Sequence, residues 1–531
     1  MAAAAPIPQP APPHSSHKWL IALAVMLGAT LEVLDTSIVN VSLPHMQGSF
    51  SASVDEIAWV VTSYLVANGV MIPMTGWISA RFGRKRYFML SVATFVAASV
   101  LCGAAQSLEQ MVFFRLAQGL AGAAMIPSSQ AILMETFPPE EQQLAMAMWG
   151  MGLMVAPILG PTVGGWITDN WNWRWNFYIN LPLGTAALLM VSAFVHDPDY
   201  LRTRRSDTPI DYLAIVYLAL WLGLAQLVFD RGERADWFSA PWVRWATFVS
   251  VASMILLTIR ELRVPEPILE LHLFGIRQFT CAIGTIIVLS FILFGSGVLT
   301  PVFLQEFMGY TALKAGLTMA PRGFAAMMAM LMTGQVARRG VDTKRLIGVA
   351  FSLIAIGLWR MAHWDLDVSL ARVIKDGMVL GFGLGMCFPI LSAAALSCVP
   401  RERMGFASSL YNMMRNNGAA IGISYLTSRL VHDSNIHQFY LVQHFSAFDA
   451  WRLSTQAAYA PGSPPFHYVT QIVTGQKQSL GMIYGAIEQQ SAMLAFNDLY
   501  RQLALMAALM IPSFLLFRSN TSNPGASTAG H

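Results

Sequence analysis

The chain has 531 residues, of which 55% are hydrophobic and only 12% are charged, with a formal net charge of +4. A soluble protein of this length needs more charge to cover its surface, so the composition excludes a soluble domain and indicates a membrane protein. The small and dispersed positive charge also gives no indication of a nucleic-acid partner.

The N-terminal segment is predicted to be a disordered tail, and the apolar run after it a membrane helix. Residues 1–18 are rich in Pro and Ala, and we predict a disordered tail on the cytoplasmic side. The apolar run at 19–41 exceeds the roughly 7–15 residues of a signal-peptide core, which predicts a retained membrane helix. Glu32 and Asp35 lie in its middle. Each carboxylate costs roughly 2.5–3.5 kcal/mol to insert unless it is paired, protonated or hydrated, so a partner or a use is expected.

Continuous apolar runs of about 20 residues predict helical spans, because the strands of a membrane barrel would alternate apolar and polar residues. The sequence predicts fourteen such spans, at 19–41, 57–79, 87–105, 111–133, 144–167, 180–196, 211–229, 242–260, 278–301, 313–336, 345–362, 374–398, 406–430 and 494–517.

Basic residues predict the orientation of these spans. Lys and Arg concentrate in loops that follow even-numbered spans, around 81–86, 202–205, 260–277, 338–345 and 401–403. The first two odd-numbered loops, 42–56 and 106–110, contain neither, although Arg231 and Arg234 lie in a later one. Positively charged loops favour the cytoplasm, so the multi-pass chain is expected to have both termini there.

A weak internal repeat predicts two related halves. The first span ends in VSLPHMQ and the ninth in VLTPVFLQ. Repeated halves are typical of secondary transporters. We predict six-helix halves at 19–196 and 278–517, two inserted linker helices at 211–260, and a cytoplasmic tail at 518–531.

The segment 432–492, within the second half, is a long predicted periplasmic loop. A loop of this length is usually functional or disordered, and its aromatic residues disfavour disorder. Its residues 471–490 have a helical pattern. Two interpretations stay open, a docking surface for a partner and a cap over the outer vestibule.

The fourth span carries a charge, Arg115, within FFRLAQGLAG, where Gly119 and Gly122 allow another helix to approach closely. A buried arginine without a carboxylate would be costly, so Asp35 or Glu32 is its predicted partner. Either a structural ion pair or a proton relay would explain this combination.

Two further segments are rich in glycine. In the fifth span, Gly160, Pro161, Gly164 and Gly165 give a small-residue face and a break in the helix's ladder of backbone hydrogen bonds. This pattern favours a bendable helix at a moving interface, or else close packing without motion. After the second span, GWISARFGRKR predicts a tight basic turn, either a gating loop or a topology anchor, through the residues Gly76, Arg81, Gly83 and Arg84.

Other polar residues within the spans are candidates for a substrate pathway, although packing support explains each of them too. The candidates are Tyr64, Asn68, Gln118, Arg322, Asn412, Arg415 and Asn417. No phosphate-binding loop, metal motif or nucleophile elbow occurs, so we expect neither an enzyme nor a cofactor. The four cysteines lack metal-like spacing and indicate neither a metal site nor a disulfide framework.

These motifs resemble those of the major facilitator superfamily. FFRLAQGLAG resembles its intramembrane arginine motif, GWISARFGRKR its loop motif, and APILGPTVGGWI the motif of its drug:proton antiporters. Two further segments, LDTSIVNVSLP and WRWNFYINLPLG, resemble motifs of the superfamily's fourteen-helix drug:proton antiporter branch. The long loop before the last span is similar to that of the EmrB subunits of Emr-type tripartite pumps.

The resemblance implies an all-α major facilitator fold and proton-driven export of lipophilic toxic compounds across a bacterial inner membrane, hence multidrug and antibiotic resistance. It also implies a periplasmic adaptor of the EmrA type and an outer-membrane channel of the TolC type. A proton-coupled importer or symporter of a small organic solute is the alternative, because fold does not determine direction.

The resemblance also implies roles for individual residues. Asp35 takes the position of the first-helix acid, and Arg115 that of the intramembrane arginine. The glycines and proline of the fifth span take the antiporter motif. Two positions depart from the family pattern. Ala80 stands where the loop motif usually has an acid, and Glu32 is not part of the first-helix pattern. Glu32 could carry a second proton or bind cationic substrates.

Overall fold

The computed structural model describes residues 17–197, 210–264, 267–338, 341–443 and 468–517, and the regular elements in these ranges are all helices. The α-helices of the first half are α1 (Lys18–Phe50), α2 (Val54–Ile57), α3 (Trp59–Met71), α4 (Thr75–Phe82), α5 (Arg84–Ala104), α6 (Leu108–Gly122), α7 (Met125–Thr136), α8 (Gln142–Asn170), α9 (Trp175–Tyr178) and α10 (Asn180–Phe194). The remaining α-helices are α11 (Tyr212–Arg231), α12 (Pro241–Glu261), α13 (Arg277–Val302), α14 (Ala312–Arg338), α15 (Thr343–Met361), α16 (Leu370–Leu396), α17 (Met404–Val442) and α18 (Tyr468–Leu509).

Each of the fourteen predicted spans falls on helical residues, which confirms the prediction of an all-helical membrane protein. Among the described residues, ten helices are long and apolar enough to cross a membrane. The second span is interrupted by a 3₁₀ turn at Ile72–Met74, where Pro73 cannot donate a backbone hydrogen bond. The fourth span is divided into α6 and α7 in the same way, just before Pro127.

After the predicted division, we refer to α1–α10 as the N-terminal half, to α11 and α12 as the linker pair, and to α13–α18 as the C-terminal half. The linker helices pack against each other. Asp211 caps α11 by accepting the Ala214 N–H, and its two carboxylate oxygens lie 2.8 and 3.0 Å from Nε of Arg260 on α12. The Arg260 guanidinium holds the pKa of Asp211 below its usual range.

The end of the bundle that carries Arg84 and Arg403 is called the basic end, and the other the opposite end. The two halves contact each other on the basic-end side. Thr75 and Ser409 hydroxyls lie 2.6 Å apart, and Ser408 donates to the carbonyl of Pro127 at 2.7 Å. These hydrogen bonds join α4 and α7 to α17. They describe a bundle that is closed at its basic end.

Two helices are much longer than a membrane is thick. α17 has 39 residues and α18 has 42. At 1.5 Å per residue they measure about 58 and 63 Å, whereas the hydrocarbon core is about 30 Å thick. Because they are about twice as long as the core is thick, both helices extend beyond the membrane. They contact each other through His437 of α17 and Asp498 of α18, at 2.9 Å.

Because of these extensions, much of the predicted loop at 432–492 is helical. Its beginning continues α17 and its end opens α18, and the helix predicted over 471–490 is confirmed as part of α18. The predicted boundaries stopped early because a hydropathy window detects only the membrane-embedded part of a helix. Residues 444–467, the basic segment 202–205 and the tail at 518–531 lie outside the described residues, as does the N-terminal tail up to residue 16.

Candidate functional site

The centre of the N-terminal half is an ion pair between Asp35 on α1 and Arg115 on α6. Arg115 Nη1 donates to Asp35 Oδ2 at 2.6 Å. The exposed fractions of the two side chains are 1% for Arg115 and 0% for Asp35, so the pair is fully buried. Of the two predicted partners of Arg115, the structure brings Asp35 to it.

Amide side chains complete this ion pair. Gln118 accepts from Arg115 Nη1 at 2.8 Å and donates to Asp35 Oδ1 at 2.9 Å. Asn180, at the start of α10, donates to the same Asp35 oxygen at 2.7 Å and to Ser99 at 2.9 Å. Three N–H donors thus satisfy the carboxylate, as a buried charge requires.

Arg115 is also held from the side of α3. Its Nε donates to the carbonyl of Val60 at 3.1 Å, and its guanidinium carbon lies 4.2 Å from the ring centroid of Tyr64. α6 approaches α3 closely because Gly119 has no side chain, since a Cβ there would lie 2.4 Å from the carbonyl oxygen of Tyr64. The close approach predicted for Gly119 is confirmed.

Glu32 lies one turn before Asp35 on α1 and has separate partners. Its side chain is 6% exposed, and Oε1 accepts from Asn68 at 2.9 Å. Oε2 is buried and has no hydrogen-bond partner. The Glu32 carboxyl interacts electrostatically with Arg415 of the other half. The two acids of the first span therefore belong to different contacts.

The glycines of the fifth span pack against the helix that carries Asp35. A Cβ on Gly160 would lie 2.5 Å from Cβ of Ser37, and one on Gly164 would lie 3.0 Å from Ile38 Cγ2. A Cβ on Gly165 would meet Val41 only at an ordinary 3.8 Å. Gly160 and Gly164 thus permit the close contact of α8 with α1, immediately after Asp35. The Pro161 side chain lies outside the described part of the chain.

The predicted gating loop is close to the cross-half interface. A Cβ on Gly76 would lie 2.6 Å from Cα of Phe406 on α17, so α4 and α17 touch backbone to backbone. Gly83 has a φ of +91°, which favours glycine and explains the tight turn. Arg81 extends over the Trp77 ring, with its guanidinium carbon 5.6 Å from the centroid.

Ala80 supplies no carboxylate to the basic turn, but carboxylates of two other segments contact it. Arg84 forms an ion pair with Glu135 at the end of α7. The Lys85 N–H donates to Asp197, beyond α10, at 2.7 Å. The basic turn is therefore anchored to two other segments of the N-terminal half.

The polar candidates of the C-terminal half lie apart from Asp35. Arg322 on α14 donates through Nη2 to Ser296 at 2.9 Å, and its Nη1 is buried without a partner. Within the part of the chain that the structure describes, Arg415 on α17 hydrogen-bonds through its side chain only to its neighbour Asn416, at 3.4 Å, and its Nε is buried without a partner. Among the described residues, neither arginine has a carboxylate within ion-pair distance.

The remaining candidates divide between these sites. Asn412 donates to Gln130 of α7 at 2.6 Å, across the two halves, whereas Asn417 is half-buried and makes no hydrogen bond within the described ranges. Tyr64 and Gln118 contact Arg115, and Asn68 contacts Glu32. The predicted pathway residues thus do not form one cluster.

The sequence analysis missed Ser99, Asn176 and Asn180. Asn176 donates to Ser42 at 2.5 Å and to Thr168 at 2.7 Å, which fastens α1 to α8. A signal was present, because Asn176 and Asn180 stand four residues apart in an otherwise apolar stretch. Within the described residues, no group of three His, Cys, Asp or Glu side chains could hold a metal ion.

Comparison with known proteins agrees with this architecture. The pattern that defines the Major Facilitator Superfamily matches residues 25–423. The chain is 33% identical over 493 residues to the multidrug export protein EmrB of Escherichia coli strain K12, covering 93% of this chain and 94% of EmrB. It is 32% identical over 496 residues to the fatty acid resistance protein FarB of Neisseria gonorrhoeae, covering 93% and 94% of the two chains.

Among solved structures, the proton:xylose symporter XylE superposes with a TM-score of 0.58 at 16% identity, covering 88% of this chain and 96% of XylE. At this identity the likeness shows the fold alone. The resemblance read from the motifs is confirmed, and the chain is a multi-pass membrane protein with the fold of a transporter. It belongs to the major facilitator superfamily and, within it, to the family of EmrB.

Proposed function

We propose that the protein is a proton-driven exporter of lipophilic toxic compounds, and that Asp35 carries the coupled proton. The observation that carries this proposal is the fully buried Asp35–Arg115 pair, in which donors from α6 and α10 hold the acid of α1 within the bundle. An ionisable residue inside the membrane is costly and commonly marks a proton or ion pathway. Export as the direction is supported by the likeness to EmrB.

The proton gradient is sufficient for this work. One proton that crosses about 100 mV releases roughly 2.3 kcal/mol. A pH difference of one unit adds about 1.4 kcal/mol. Together they sustain a substrate gradient of several hundredfold.

In the proposed cycle, Asp35 binds a proton from the periplasm while the bundle is open toward the opposite end, the conformation that the closed basic end suggests. When the basic end opens, Asp35 releases the proton to the cytoplasm as substrate enters. Arg115 compensates the carboxylate that is left. Gly160 and Gly164 let α8 slide or bend against α1, so the charge on α1 is linked to the packing between helices.

The cellular setting is part of the proposal. The positively charged loops support a bacterial inner membrane location with both termini in the cytoplasm. The extensions of α17 and α18 would then stand in the periplasm, where they are available to an adaptor of the EmrA type that leads to a channel of the TolC type. The opposing interpretation is a cap over the transporter's own vestibule.

The experiment on the coupling claim is efflux of a lipophilic dye from proteoliposomes under an imposed pH gradient. We expect Asp35→Asn to abolish gradient-driven transport. Asp433→Asn is the matched control, because Asp433 is also buried and paired with an arginine, Arg429, but lies far along α17. Full transport by Asp35→Asn would refute the assignment.

The experiment on the partner claim shortens residues 440–485 and compares drug resistance in cells with dye transport in proteoliposomes. Loss of resistance with retained transport is expected if the extensions dock a partner. Loss of both would show instead that the segment serves folding or gating.

A further inference from the structure

The Asp35 network raises a question about how the two halves communicate. The hydrogen-bond partners of Asp35 are Arg115, Gln118 and Asn180, and all belong to the N-terminal half. A change of charge at Asp35 therefore acts first within one half. The inference that follows rests on the proposed proton-coupled transport.

One face of α17 lies against the N-terminal half. Ser408, Asn412 and Arg415 are four and three residues apart, which places them on the same side of the helix. Ser408 donates to the Pro127 carbonyl at 2.7 Å, and Asn412 donates to Gln130 at 2.6 Å. Arg415 is the next residue of this face toward the opposite end.

Glu32 is the carboxyl group that Arg415 faces across the halves. The two groups interact electrostatically but do not form a direct ion pair in this structure. Glu32 Oε2 and Arg415 Nε are each buried without a hydrogen-bond partner among the residues that the structure describes. Opposite charges with unsatisfied atoms attract strongly where little water screens them.

We propose that Glu32 and Arg415 form a second proton-linked contact, one that joins the two halves. Charged Glu32 attracts Arg415 and narrows the cleft, by which we mean the space between the two halves on the side of the opposite end. When the Glu32 carboxylate binds a proton from the aqueous phase, the neutral acid no longer attracts Arg415, and the cleft widens. The proton returns to water when the carboxylate forms again.

Other titratable groups around the pair do not duplicate this role. Asp35, on the same helix, is compensated by Arg115. Tyr64 on α3 and Tyr411 on α17 are phenols, which carry no charge in the pH range of transport because a phenol ionises only at about pH 10. The opposite charge that Arg415 meets is therefore Glu32.

A double-mutant cycle tests the contact. The opening of the opposite end is measured by the distance between two spin labels there, in the full-length protein, for wild type, Glu32→Gln, Arg415→Gln and the double variant. Each single substitution removes the same attraction, so both are expected to favour the open cleft by a similar factor. The double variant is expected to favour the open cleft no more than either single variant does. The two substitutions would then be coupled by a factor of about five or more in the opening equilibrium.

Two comparisons make the result specific. Arg322→Gln, which neutralises the other half-buried arginine of the C-terminal half, is expected to combine additively with Glu32→Gln. Arg415→Lys is expected to keep the coupling, because it keeps the charge. In wild type, acidification should open the cleft, and this response should be absent in Arg415→Gln. If Glu32→Gln does not fold, the pH response of Arg415→Gln tests the contact by itself.

Additive effects of Glu32→Gln and Arg415→Gln, or an unchanged pH response in Arg415→Gln, would overturn the proposal. Gradient-driven dye transport by the wild type is measured on the same preparations. If the wild type shows no such transport, the proposed function fails; if it does and the cycle is additive, only the Glu32–Arg415 contact fails.

Discussion

The two halves of this transporter compensate their central charges in different ways. In the N-terminal half, the Asp35 carboxylate has an arginine and two amide donors within hydrogen-bond distance. In the C-terminal half, Arg322 and Arg415 have no carboxylate within ion-pair distance among the described residues, and each retains a buried nitrogen without a partner. A charge held without a partner in a low-dielectric interior is costly.

This difference separates two tasks. In the proposed mechanism, Asp35 exchanges a proton while Arg115 keeps the counter-charge in place, so the proton would be handled within the N-terminal half. An arginine without a carboxylate in its own half is instead free to be attracted by a negative charge on the other half. The comparison therefore predicts that substitutions in the two halves differ in their effects on stability as well as on transport.

The largest effect is expected for Arg115→Gln. The substitution leaves Asp35 buried without its counter-charge, which costs about 3–5 kcal/mol in other proteins. We expect gradient-driven transport to be lost and the thermal unfolding temperature to fall. The double variant Asp35→Asn/Arg115→Gln should regain part of that stability, although not transport. A double variant less stable than Arg115→Gln would contradict the pairing.

A smaller effect is expected for Gly160→Ala, which tests whether the Asp35 helix needs close contact with α8. The added methyl would lie 2.5 Å from Ser37 Cβ, and overpacking of this kind costs about 1–3 kcal/mol. Dye efflux should fall about tenfold or more if α8 must move against α1. Gly165→Ala is the matched control, with an ordinary 3.8 Å contact and near-normal efflux.

Arg322→Gln tests the same difference in the C-terminal half. Because Arg322 has no carboxylate partner among the described residues, its neutralisation should leave stability within about 1 kcal/mol of wild type, or raise it. Thermal unfolding in detergent measures this. A loss as large as that of Arg115→Gln would show that the positive charge of Arg322 is compensated as well as that of Arg115.

The smallest effect is expected in the linker pair, for Arg260→Gln, which removes the ion pair and leaves the Asp211 cap of α11 in place. Arg260 is 37% exposed, so solvent screens the ion pair and its contribution to stability is small. Arg260 holds the pKa of Asp211 below its usual range, so the stabilisation is present at neutral pH. It is lost as the pH falls below about 4, toward the lowered pKa. Wild type and variant should therefore converge in unfolding temperature at low pH.

Much of the fold was predictable from the sequence because apolar runs of helix length determine it. The pairing of Arg115 with an acid of the first span was also predictable, since each charge alone would be too costly inside a membrane. Which acid it meets was not predictable. Glu32 and Asp35 lie on one side of α1, and only the packing of α3, α6 and α10 around that helix separates them.

Other features depend on contacts between distant segments. Asn180 reaches Asp35 across 145 residues, and Glu135 and Asp197 supply carboxylates to the basic turn, whereas Ala80 supplies none. The extension of α17 escaped detection because its residues are not apolar enough to be recognised as a span. The helix predicted over 471–490 was not recognised as a continuation of the last span for the same reason. Local pattern carries no information about such pairings.

The most direct measurement of the central claim counts the protons released when substrate binds to the purified protein in weakly buffered detergent solution. If Asp35 carries a coupled proton, the wild type should release it upon binding of a lipophilic dye, and Asp35→Asn should release one proton fewer per bound dye. An equal number of protons from wild type and Asp35→Asn, at equal dye binding, would contradict the account.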